Sequence, residues 1–364
     1  MKKFLAIIVL FCLAGIAQTS AQGCLEASGT GGPTVIGYIQ PQFEYHFLGD
    51  DGTGNSLNSS TFKFNRARIG VAGSIPYDIQ YYVLMETSSF FTGNPFLLDA
   101  FITYNRLGHW AKFSVGSFKS PISLELNTPC QALYTIRRSS VVDQLTAPNR
   151  DIGFMVSGGT DSLNIYGYKT FNLLKYSLAI TNGKGLGEID DNMGKNYSGR
   201  IVLSPWKYIS IGASYLYGTQ KPLEVGNPED IKKRMGIDLE LKYKNFMIQG
   251  EYLSADDQGS YTVGGGCGAP PEVVTGSIKR DGYFVQATYM TPWNLQPVFK
   301  YESFNPDTDP AVVKDIQNTM TFGLNYFIND YTRIQINYLY QAEEVASVEV
   351  PNDAFLIQFQ VILK

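Results

Sequence analysis

The chain has 364 residues, and its formal net charge is −4 at pH 7. A net negative charge argues against a nucleic-acid-binding protein, because binding to phosphate backbones depends on an excess of Lys and Arg. The only two histidines, His46 and His109, leave little scope for histidine-based catalysis. Aromatic residues make up 13% of the chain, yet mean hydropathy is only −0.10. This combination suits a membrane barrel with a polar lumen, and the alternative is a secreted soluble β-protein.

The N-terminus has the organisation of a secretory signal peptide. Lys2 and Lys3 precede the apolar run 4–17, and small residues up to Ala21 form a cleavage site. A membrane-anchoring helix is the weaker alternative, because the apolar run is too short to span a bilayer comfortably. We expect three parts: a signal peptide at 1–21, a periplasmic lead-in at 22–33 and an outer-membrane β-barrel at 34–364.

Cysteine usage indicates no disulfide framework. Once the signal peptide with Cys12 is removed, Cys24, Cys130 and Cys267 remain, so at most one pair can form. None of the three has the spacing of zinc ligands. We therefore expect neither a metal nor a cofactor, and the pairing of the cysteines stays open.

Alternation of apolar and polar residues recurs to the end of the chain. In the closing segment, Phe355, Ile357 and Phe359 share one parity while Gln358 and Gln360 share the other, as expected for a strand with one apolar face. Sixteen such segments are joined by connections that alternate between short turns and long Gly/Asp/Asn-rich loops. The sequence therefore predicts an all-β fold, a sixteen-stranded antiparallel transmembrane β-barrel with short periplasmic turns and long external loops. The predicted long loops are 47–61, 120–150, 183–196, 218–233, 255–280, 303–316 and 342–352, with a shorter one at 89–96.

The segment 162–169 tests this strand count. It also alternates, but counting it as a strand makes the barrel odd and moves the loop 183–196 to the periplasmic side. Single-chain bacterial barrels have an even number of strands. We therefore interpret 159–173 as an unusually long periplasmic turn. Sixteen strands leave room for an aqueous channel.

The parity opposite the apolar one identifies the lumen. Because Ala67 and Ile69 face outward, Arg66 and Arg68 face inward, stacked on one strand. A Lys or Arg on the lipid face costs about 2–4 kcal/mol at the bilayer midplane. Two roles stay open for the two arginines: salt bridges to lumen carboxylates such as Glu86, or contact with a passing anion. The same rule places further charges inside: Lys112, Lys175, Arg200, Lys242, Lys300 and Arg333, with Glu86, Asp99, Asp238, Glu240, Glu251 and Glu302.

The long loop 120–150 is rich in basic residues. It holds Arg137, Arg138 and Arg150, with Lys119 at its start. In a sixteen-stranded pore a loop of this length can fold inward and narrow the channel, and basic groups at a constriction favour anions. The alternative is a solvated external loop.

Five stretches follow one another along the chain: F-K-F-N-R-A-R-I-G-V-A-G (62–73), L-L-D-A-F-I-T-Y (97–104), V-G-S-F-K-S-P-I-S-L-E (115–125), P-N-R-D-I-G-F (148–154) and L-K-Y-S-L-A-I-T-N-G-K-G (174–185). In this order they resemble the phosphate-selective porin O and P family. The resemblance is good over about 61–205, and beyond that only the strand rhythm agrees. It implies a sixteen-stranded trimeric porin that draws anions inward. By position it makes Arg66, Arg68, Lys119, Arg137, Arg138 and Arg150 the candidate pore-lining bases.

The sequence thus favours a passive outer-membrane porin for small hydrophilic solutes, with a preference for anions such as phosphate. We expect a homotrimer in outer-membrane lipid, with no nucleic-acid partner and no catalytic residue. The alternatives are a general non-selective porin and, less favoured, a barrel that binds or adheres through its loops. An enzyme is disfavoured because His46 and His109 belong to opposite ends of the predicted barrel. The candidate pore-lining or anion-binding residues are Arg66, Arg68, Lys112, Lys119, Arg137, Arg138, Arg150, Arg200 and Arg333.

Overall fold

A computed structural model describes the chain over residues 32–91, 93–160, 163–165, 168–170, 172–222, 229–263, 272–309, 316–344 and 351–363. The expected signal peptide and most of the lead-in lie outside these residues. The strands are β1 (Thr34–His46), β2 (Ser59–Ile75), β3 (Ile79–Glu86), β4 (Phe96–Tyr104), β5 (Lys112–Lys119), β6 (Arg150–Gly159), β7 (Leu163–Ile165), β8 (Tyr168–Thr170), β9 (Leu174–Thr181), β10 (Asn196–Trp206), β11 (Ile209–Gln220), β12 (Asp230–Tyr243), β13 (Phe246–Val263), β14 (Glu272–Tyr289), β15 (Leu295–Asn305), β16 (Ile316–Asn329), β17 (Thr332–Glu344) and β18 (Ala354–Leu363).

Sixteen of these strands form one closed antiparallel barrel, and β1 pairs with β18 to close it. The predicted strand number is therefore confirmed. Strands β7 and β8 pair with each other, while β6 pairs directly with β9. Strands β7 and β8 thus lie within the connection between β6 and β9 and are not part of the barrel, as the interpretation of 159–173 as a long turn requires.

The prediction of a long loop at 255–280 is wrong over most of its length. Strands β13 and β14 stay paired from Phe246 opposite Tyr289 as far as Val263 opposite Glu272. Each has 18 residues, or about 60 Å of strand at ~3.3 Å per residue, which exceeds a tilted crossing of a ~30 Å hydrocarbon core. Beyond Ser254, polar residues fall on both parities of β13, such as Asp256 opposite Lys279 and Asp257 opposite Ile278. This part therefore lacks the apolar alternation on which the strand prediction depended.

The two faces of the barrel wall differ as the parity rule predicts. On β18, Phe359 on the outer face is 39% exposed, while Gln358 on the inner face is 1% exposed. At the end of the barrel with the short turns, exposed aromatic side chains include Trp206 and Trp293. There the Lys207 ammonium lies 4.8 Å from the centre of the Tyr208 ring. Aromatic and basic side chains at strand ends are typical of the membrane–water interface.

Helices are short in the described part of the chain. Two α-helices, α1 (Leu124–Asn127) and α2 (Ser140–Leu145), lie between β5 and β6, and single 3₁₀ turns occur at Ser88–Phe91 and Cys130–Ala132. None of the helices among the described residues combines the length and the apolar composition needed to cross a bilayer.

The connection between β5 and β6, residues 120–149, folds into the barrel, and we call it the lumen loop. Its apolar side chains form one buried cluster with inward-facing apolar side chains of β11, β13, β14 and β15. Full burial of each large apolar side chain contributes about 1.5–3 kcal/mol. The alternative of a solvated external loop is therefore wrong. The cluster comprises Ile122, Leu126, Val141, Val142 and Leu145 of the loop, with Leu216, Leu253, Ala255, Phe284 and Phe304 of the wall.

Candidate functional site

A buried wall carboxylate fixes the start of the lumen loop. Glu251 on β13 accepts hydrogen bonds from the Ser123 hydroxyl at 3.0 Å and from the main-chain N–H groups of Leu124 and Glu125 at 3.0 and 3.1 Å. The N–H groups of a first helical turn have no partner within the helix. Glu251 supplies that partner from the opposite wall, so α1 is tied to β13.

The second helix is fixed at both ends. Glu302 on β15 accepts hydrogen bonds from the N–H and hydroxyl of Ser140 at 3.2 and 3.0 Å. At the other end, Arg234 Nε on β12 donates to the Leu145 carbonyl at 2.9 Å. Lys300 Nζ lies 3.1 Å from the second oxygen of Glu302. The lumen loop is therefore held against β12–β15 by charged groups as well as by apolar packing.

The middle of the lumen loop reaches the facing wall. The Ile136 N–H donates to Asn337 Oδ1 on β17 at 2.7 Å. The Gln360 amide on β18 donates to the Gln131 carbonyl at 3.2 Å. The loop thus extends across the lumen from β11–β15 to β17 and β18, and it narrows the passage.

Four arginines among the nine candidate cations are paired with carboxylates of described residues. Three of these four arginines, Arg68, Arg150 and Arg200, are buried, and Arg137 of the lumen loop is more open. For Arg68, Arg150 and Arg200 the carboxylate cancels the charge of the arginine, so these three pairs add little net field to the lumen, whereas Glu44 is shared between Arg137 and Lys63. The pairs are Arg68–Glu86 at 2.7 Å, Arg137–Glu44 at 3.1 Å, Arg150–Asp99 at 2.9 Å and Arg200–Asp238 at 2.5 Å.

Two candidate cations donate to side-chain amide oxygens instead. Arg66 Nη1 donates to Gln40 Oε1, and Arg333 Nη2 donates to Gln360 Oε1, both at 3.1 Å. Gln40 Nε2 also donates to Gln360 Oε1 at 2.7 Å, which links the two arginines through two glutamines. The buried Nε of Arg333 has no hydrogen-bond partner among the described residues. Amide oxygens carry only partial charge, so both arginines keep a net positive charge.

Two further cations are held by main-chain carbonyls at the end of α1. Lys119 Nζ lies 3.0 Å from the Leu126 carbonyl and 3.3 Å from that of Thr128. Arg138 donates to the carbonyls of Glu125 and Thr128 at 3.1 and 3.2 Å. The carbonyls at a helix C-terminus attract cations but cancel only part of their charge. Lys112, the remaining candidate, is half-buried on β5.

Cys130 lies where these cations meet, and sequence reasoning did not foresee its position. It is a buried free thiol, and its Sγ accepts from Arg68 at 3.2 Å and from Arg138 at 3.3 Å. Burial opposes ionisation, but Arg66, Arg138 and Arg68 together hold the pKa of the Cys130 thiol well below its usual range. Cys24 and Cys267 lie outside the described residues.

We define as the basic cluster the four candidate cations whose observed hydrogen-bond acceptors are amide, carbonyl or thiol groups. They are Arg66, Lys119, Arg138 and Arg333. They come from β2, β5, the lumen loop and β17, so the loop brings together groups from distant parts of the chain. The structure thus places all nine candidates in the barrel wall or the lumen loop, but only four of them in this cluster.

Comparison with known proteins places this architecture among porins. A sequence profile of the family described as phosphate-selective porin O and P matches residues 38–362. No curated protein sequence matches the chain significantly. At identities this low, the following similar solved structures show the fold alone. They are an anion-selective porin from Comamonas acidovorans (12% identity, TM-score 0.63, 91% of this chain and 99% of that chain), the trimer form of OmpT from Vibrio cholerae (14%, 0.61, 92% and 100%) and the outer membrane channel DcaP of Acinetobacter baumannii (11%, 0.61, 93% and 99%).

Proposed function

Because the chain belongs to the phosphate-selective porin O and P family and is an outer-membrane porin, we propose that small hydrophilic solutes diffuse through it with a preference for anions such as phosphate. The family and the fold indicate a channel rather than an enzyme. We further propose that none of its residues is catalytic.

The basic cluster is the observation that carries the anion preference. Four cations lie on or beside a loop that crosses the lumen, and their hydrogen-bond acceptors among the described residues are amides, carbonyls and the Cys130 sulfur, whose ionised form offsets at most one of the four charges. Charges of one sign in a narrow, low-dielectric passage raise the local concentration of counter-ions. Basic groups at a constriction therefore favour anions over cations.

Passage also requires that each contact release the solute. A phosphate or carboxylate oxygen can replace one weak acceptor at a time, such as Gln40 beside Arg66 or Gln360 beside Arg333. Arginine suits this role because its planar fork binds two oxygens of such an anion. The cations paired with carboxylates hold the wall together and contribute less to the field.

Competition between anions tests the preference for phosphate. The purified porin is inserted into a planar bilayer in chloride solution, and phosphate is added at constant ionic strength and pH. If phosphate binds in the lumen, the chloride conductance falls and saturates as phosphate increases. A conductance that changes only in proportion to the bulk mobility of the ions contradicts binding.

The second candidate is a general non-selective porin, and the four carboxylate-paired arginines favour it. If the remaining acids of the lumen offset the basic cluster, the field in the passage is close to neutral. The two functions differ in the reversal potential under a salt gradient, which is near zero for a non-selective channel.

The proposal also covers the number of subunits and the removal of the signal peptide. We propose a homotrimer in outer-membrane lipid, supported by the apolar outer face of the barrel and by the trimer form of OmpT from Vibrio cholerae. Native mass spectrometry of the purified protein gives the subunit number. We also propose that the signal peptide is cleaved after Ala21, so that N-terminal sequencing of the mature protein begins at Gln22.

A further inference from the structure

The barrel end that carries the short turns has a basic and aromatic surface, which we call the rim patch. The turn region between β10 and β11 supplies Trp206, Lys207 and Tyr208, and that between β12 and β13 supplies Tyr243 and Lys244. Strands β11 and β12 pair directly, and the rings of Tyr208 and Tyr243 lie 5.3 Å apart, centre to centre. The two turns therefore form one continuous surface.

Two ammonium groups lie beside this pair of rings. Lys207 Nζ is 4.8 Å from the centre of the Tyr208 ring, and Lys244 Nζ is 5.4 Å from the centre of the Tyr243 ring. A cation within about 6 Å of a ring centre is attracted to the face of the ring. Both lysines are exposed, and within the part of the chain that the structure describes neither has a carboxylate partner. The rim patch therefore presents two positive charges side by side.

The backbone at Lys244 adopts a conformation that most side chains disfavour. Tyr243 pairs with Phe246, so Lys244 and Asn245 form a two-residue turn. The φ angle of Lys244 is 54°, in the left-handed region that favours Gly, Asn and Asp over residues such as Lys. Backbone strain of this kind clusters at functional positions. A lysine at this position therefore indicates a use for its charge, because the turn itself favours another residue.

The rim patch faces the lipid at the level of the headgroups. Tyr243 has the outward parity of β12, which it shares with the exposed apolar residues Ile237 and Leu239. Trp206 and Tyr208 are exposed beside it. Trp and Tyr side chains favour the boundary between hydrocarbon and water. The two ammonium groups at these rings therefore lie in the phosphate layer of the leaflet on the short-turn side.

The positive charge of the rim patch is a local feature. At the same end of the barrel, the turn between β2 and β3 carries Asp78 and the turn between β16 and β17 carries Asp330. The formal net charge of the chain is −4, so the protein as a whole does not attract anionic lipid. Any attraction of anionic lipid to this surface therefore comes from the two lysines.

The chemistry of the rim patch matches a lipid with net negative charge. The phosphate of phosphatidylglycerol complements both ammonium groups, whereas zwitterionic phosphatidylethanolamine brings an ammonium group of its own. We propose that the rim patch binds an anionic phospholipid such as phosphatidylglycerol, with its phosphate at Lys207 and Lys244 and its acyl chains along the apolar outer wall. Because the rim patch lies outside the lumen, this interaction is independent of the ion selectivity of the channel.

Quenching of Trp206 fluorescence by brominated lipid tests the proposal. The chain has three tryptophans, so Trp110→Phe combined with Trp293→Phe leaves Trp206 as the single fluorophore. This porin is reconstituted into vesicles of equal parts phosphatidylglycerol and phosphatidylethanolamine, in which one lipid or the other has brominated acyl chains. We expect the ratio of phosphatidylglycerol to phosphatidylethanolamine at Trp206 to be about tenfold above that of the vesicle. Each lysine contributes about fivefold near an anionic surface, and screening lowers the product of the two.

Equal quenching by the two brominated lipids overturns the proposal. Weak and equal quenching is the result expected if a neighbouring copy of the chain, and not lipid, covers the rim patch. Stronger quenching by brominated phosphatidylglycerol supports the proposal when it also depends on the two lysines.

Paired variants locate the effect in the rim patch. In the Trp206-only protein, Lys207→Gln combined with Lys244→Asn removes both charges, and Asn suits the left-handed backbone at position 244. We expect the lipid ratio at Trp206 to fall to that of the vesicle, without a fall in unfolding temperature. Lys207→Arg combined with Lys244→Arg keeps the charges and the preference. The matched control, Lys221→Gln with Lys279→Gln, removes two exposed lysines at the opposite end and leaves the ratio unchanged. A preference that survives the first double variant overturns the assignment to these lysines.

Discussion

The two sides of the lumen perform different tasks. The wall of β11–β15 presents apolar side chains, among them Phe284, together with the carboxylates of Glu251 and Glu302. The wall of β1, β2, β17 and β18 presents amides and arginines, among them Arg66 and Arg333. The first wall makes the charged contacts and the larger apolar cluster that hold the lumen loop. The second wall also contacts the loop through Asn337 and Gln360, and it provides charge that is not cancelled by carboxylates.

This difference means that the shape of the passage and its selectivity are set by different residues. Substitutions on the holding wall are expected to free the lumen loop and change conductance. Substitutions on the charged wall are expected to change which ions pass while the loop stays in place. Single and double substitutions can test whether conductance and ion selectivity depend on different residues.

Truncation of Phe284 has the largest expected effect. Phe284 is fully buried against the lumen loop, and Phe→Ala substitutions at such sites cost about 3–5 kcal/mol. Phe284→Ala therefore weakens the docking of the loop and raises single-channel conductance. Loop release also exposes Cys130, so maleimide labelling of the Cys130 peptide, followed by mass spectrometry, becomes faster. Phe322→Ala, on the outer face of β16, is the control and leaves the labelling rate unchanged.

Replacement of one Glu251 acceptor oxygen has a smaller effect on the same property. In Glu251→Gln, an amide replaces a carboxylate that accepts from Ser123, Leu124 and Glu125, so at least one donor loses its acceptor. Leaving a buried donor unpaired costs about 1–3 kcal/mol. We expect Cys130 labelling between that of the unmodified protein and that of Phe284→Ala. Labelling as slow as in the unmodified protein contradicts a role of Glu251 in holding the loop.

Neutralisation of the charged wall changes selectivity. A unit charge about 10 Å from a passing ion changes its energy by about 0.4 kcal/mol in water, which is about twofold in local concentration. The double variant Arg66→Gln and Arg333→Gln is therefore expected to lower the local anion concentration about fourfold and to shift the reversal potential towards cation preference. Cys130 labelling stays slow because the loop remains docked.

The matched control for this variant removes both charges of an ion pair. Arg200→Gln combined with Asp238→Asn removes the same number of charges but leaves the net charge of the lumen unchanged. We expect the reversal potential to stay within error of that of the unmodified channel. An equal shift in both double variants means that selectivity does not depend on the basic cluster.

Ionic strength gives the smallest of the effects considered. The Debye length falls from about 10 Å at 0.1 M to about 3 Å at 1 M salt, so exposed parts of the basic cluster are screened. At a fixed ratio of salt across the bilayer, anion preference is expected to decline as total salt rises. An anion preference that is independent of salt indicates selection by size instead of by charge.

The strand architecture was largely predictable because one physical rule governs it. The apolar parity of each strand faces outward, and this rule predicted the sixteen strands and the inward Gln358 and Gln360. The rule failed for the outer parts of β13 and β14, because polar residues fall on both parities of β13 there. Strand pairing there depends on cross-strand contacts such as Asp257 with Arg280, which periodicity does not reveal.

The position of the lumen loop was less predictable, although the sequence contains a signal for it. Four apolar residues lie on the lumen parity, where contact with water is unfavourable for them: Leu216, Leu253, Phe284 and Phe304. Inward apolar residues on neighbouring strands indicate that something packs on them. The sequence alone did not show which cations lack a carboxylate partner. The pairing of Arg68 with Glu86 and the position of Cys130 depend on the folded loop.

The reversal potential of the unmodified porin tests the central claim most directly. The claim is that cations without carboxylate partners beside the lumen loop make the passage prefer anions. With tenfold different KCl concentrations on the two sides of a planar bilayer, we predict a reversal potential of the sign given by chloride permeation. A potential of the sign given by potassium permeation, or one near zero, contradicts the claim.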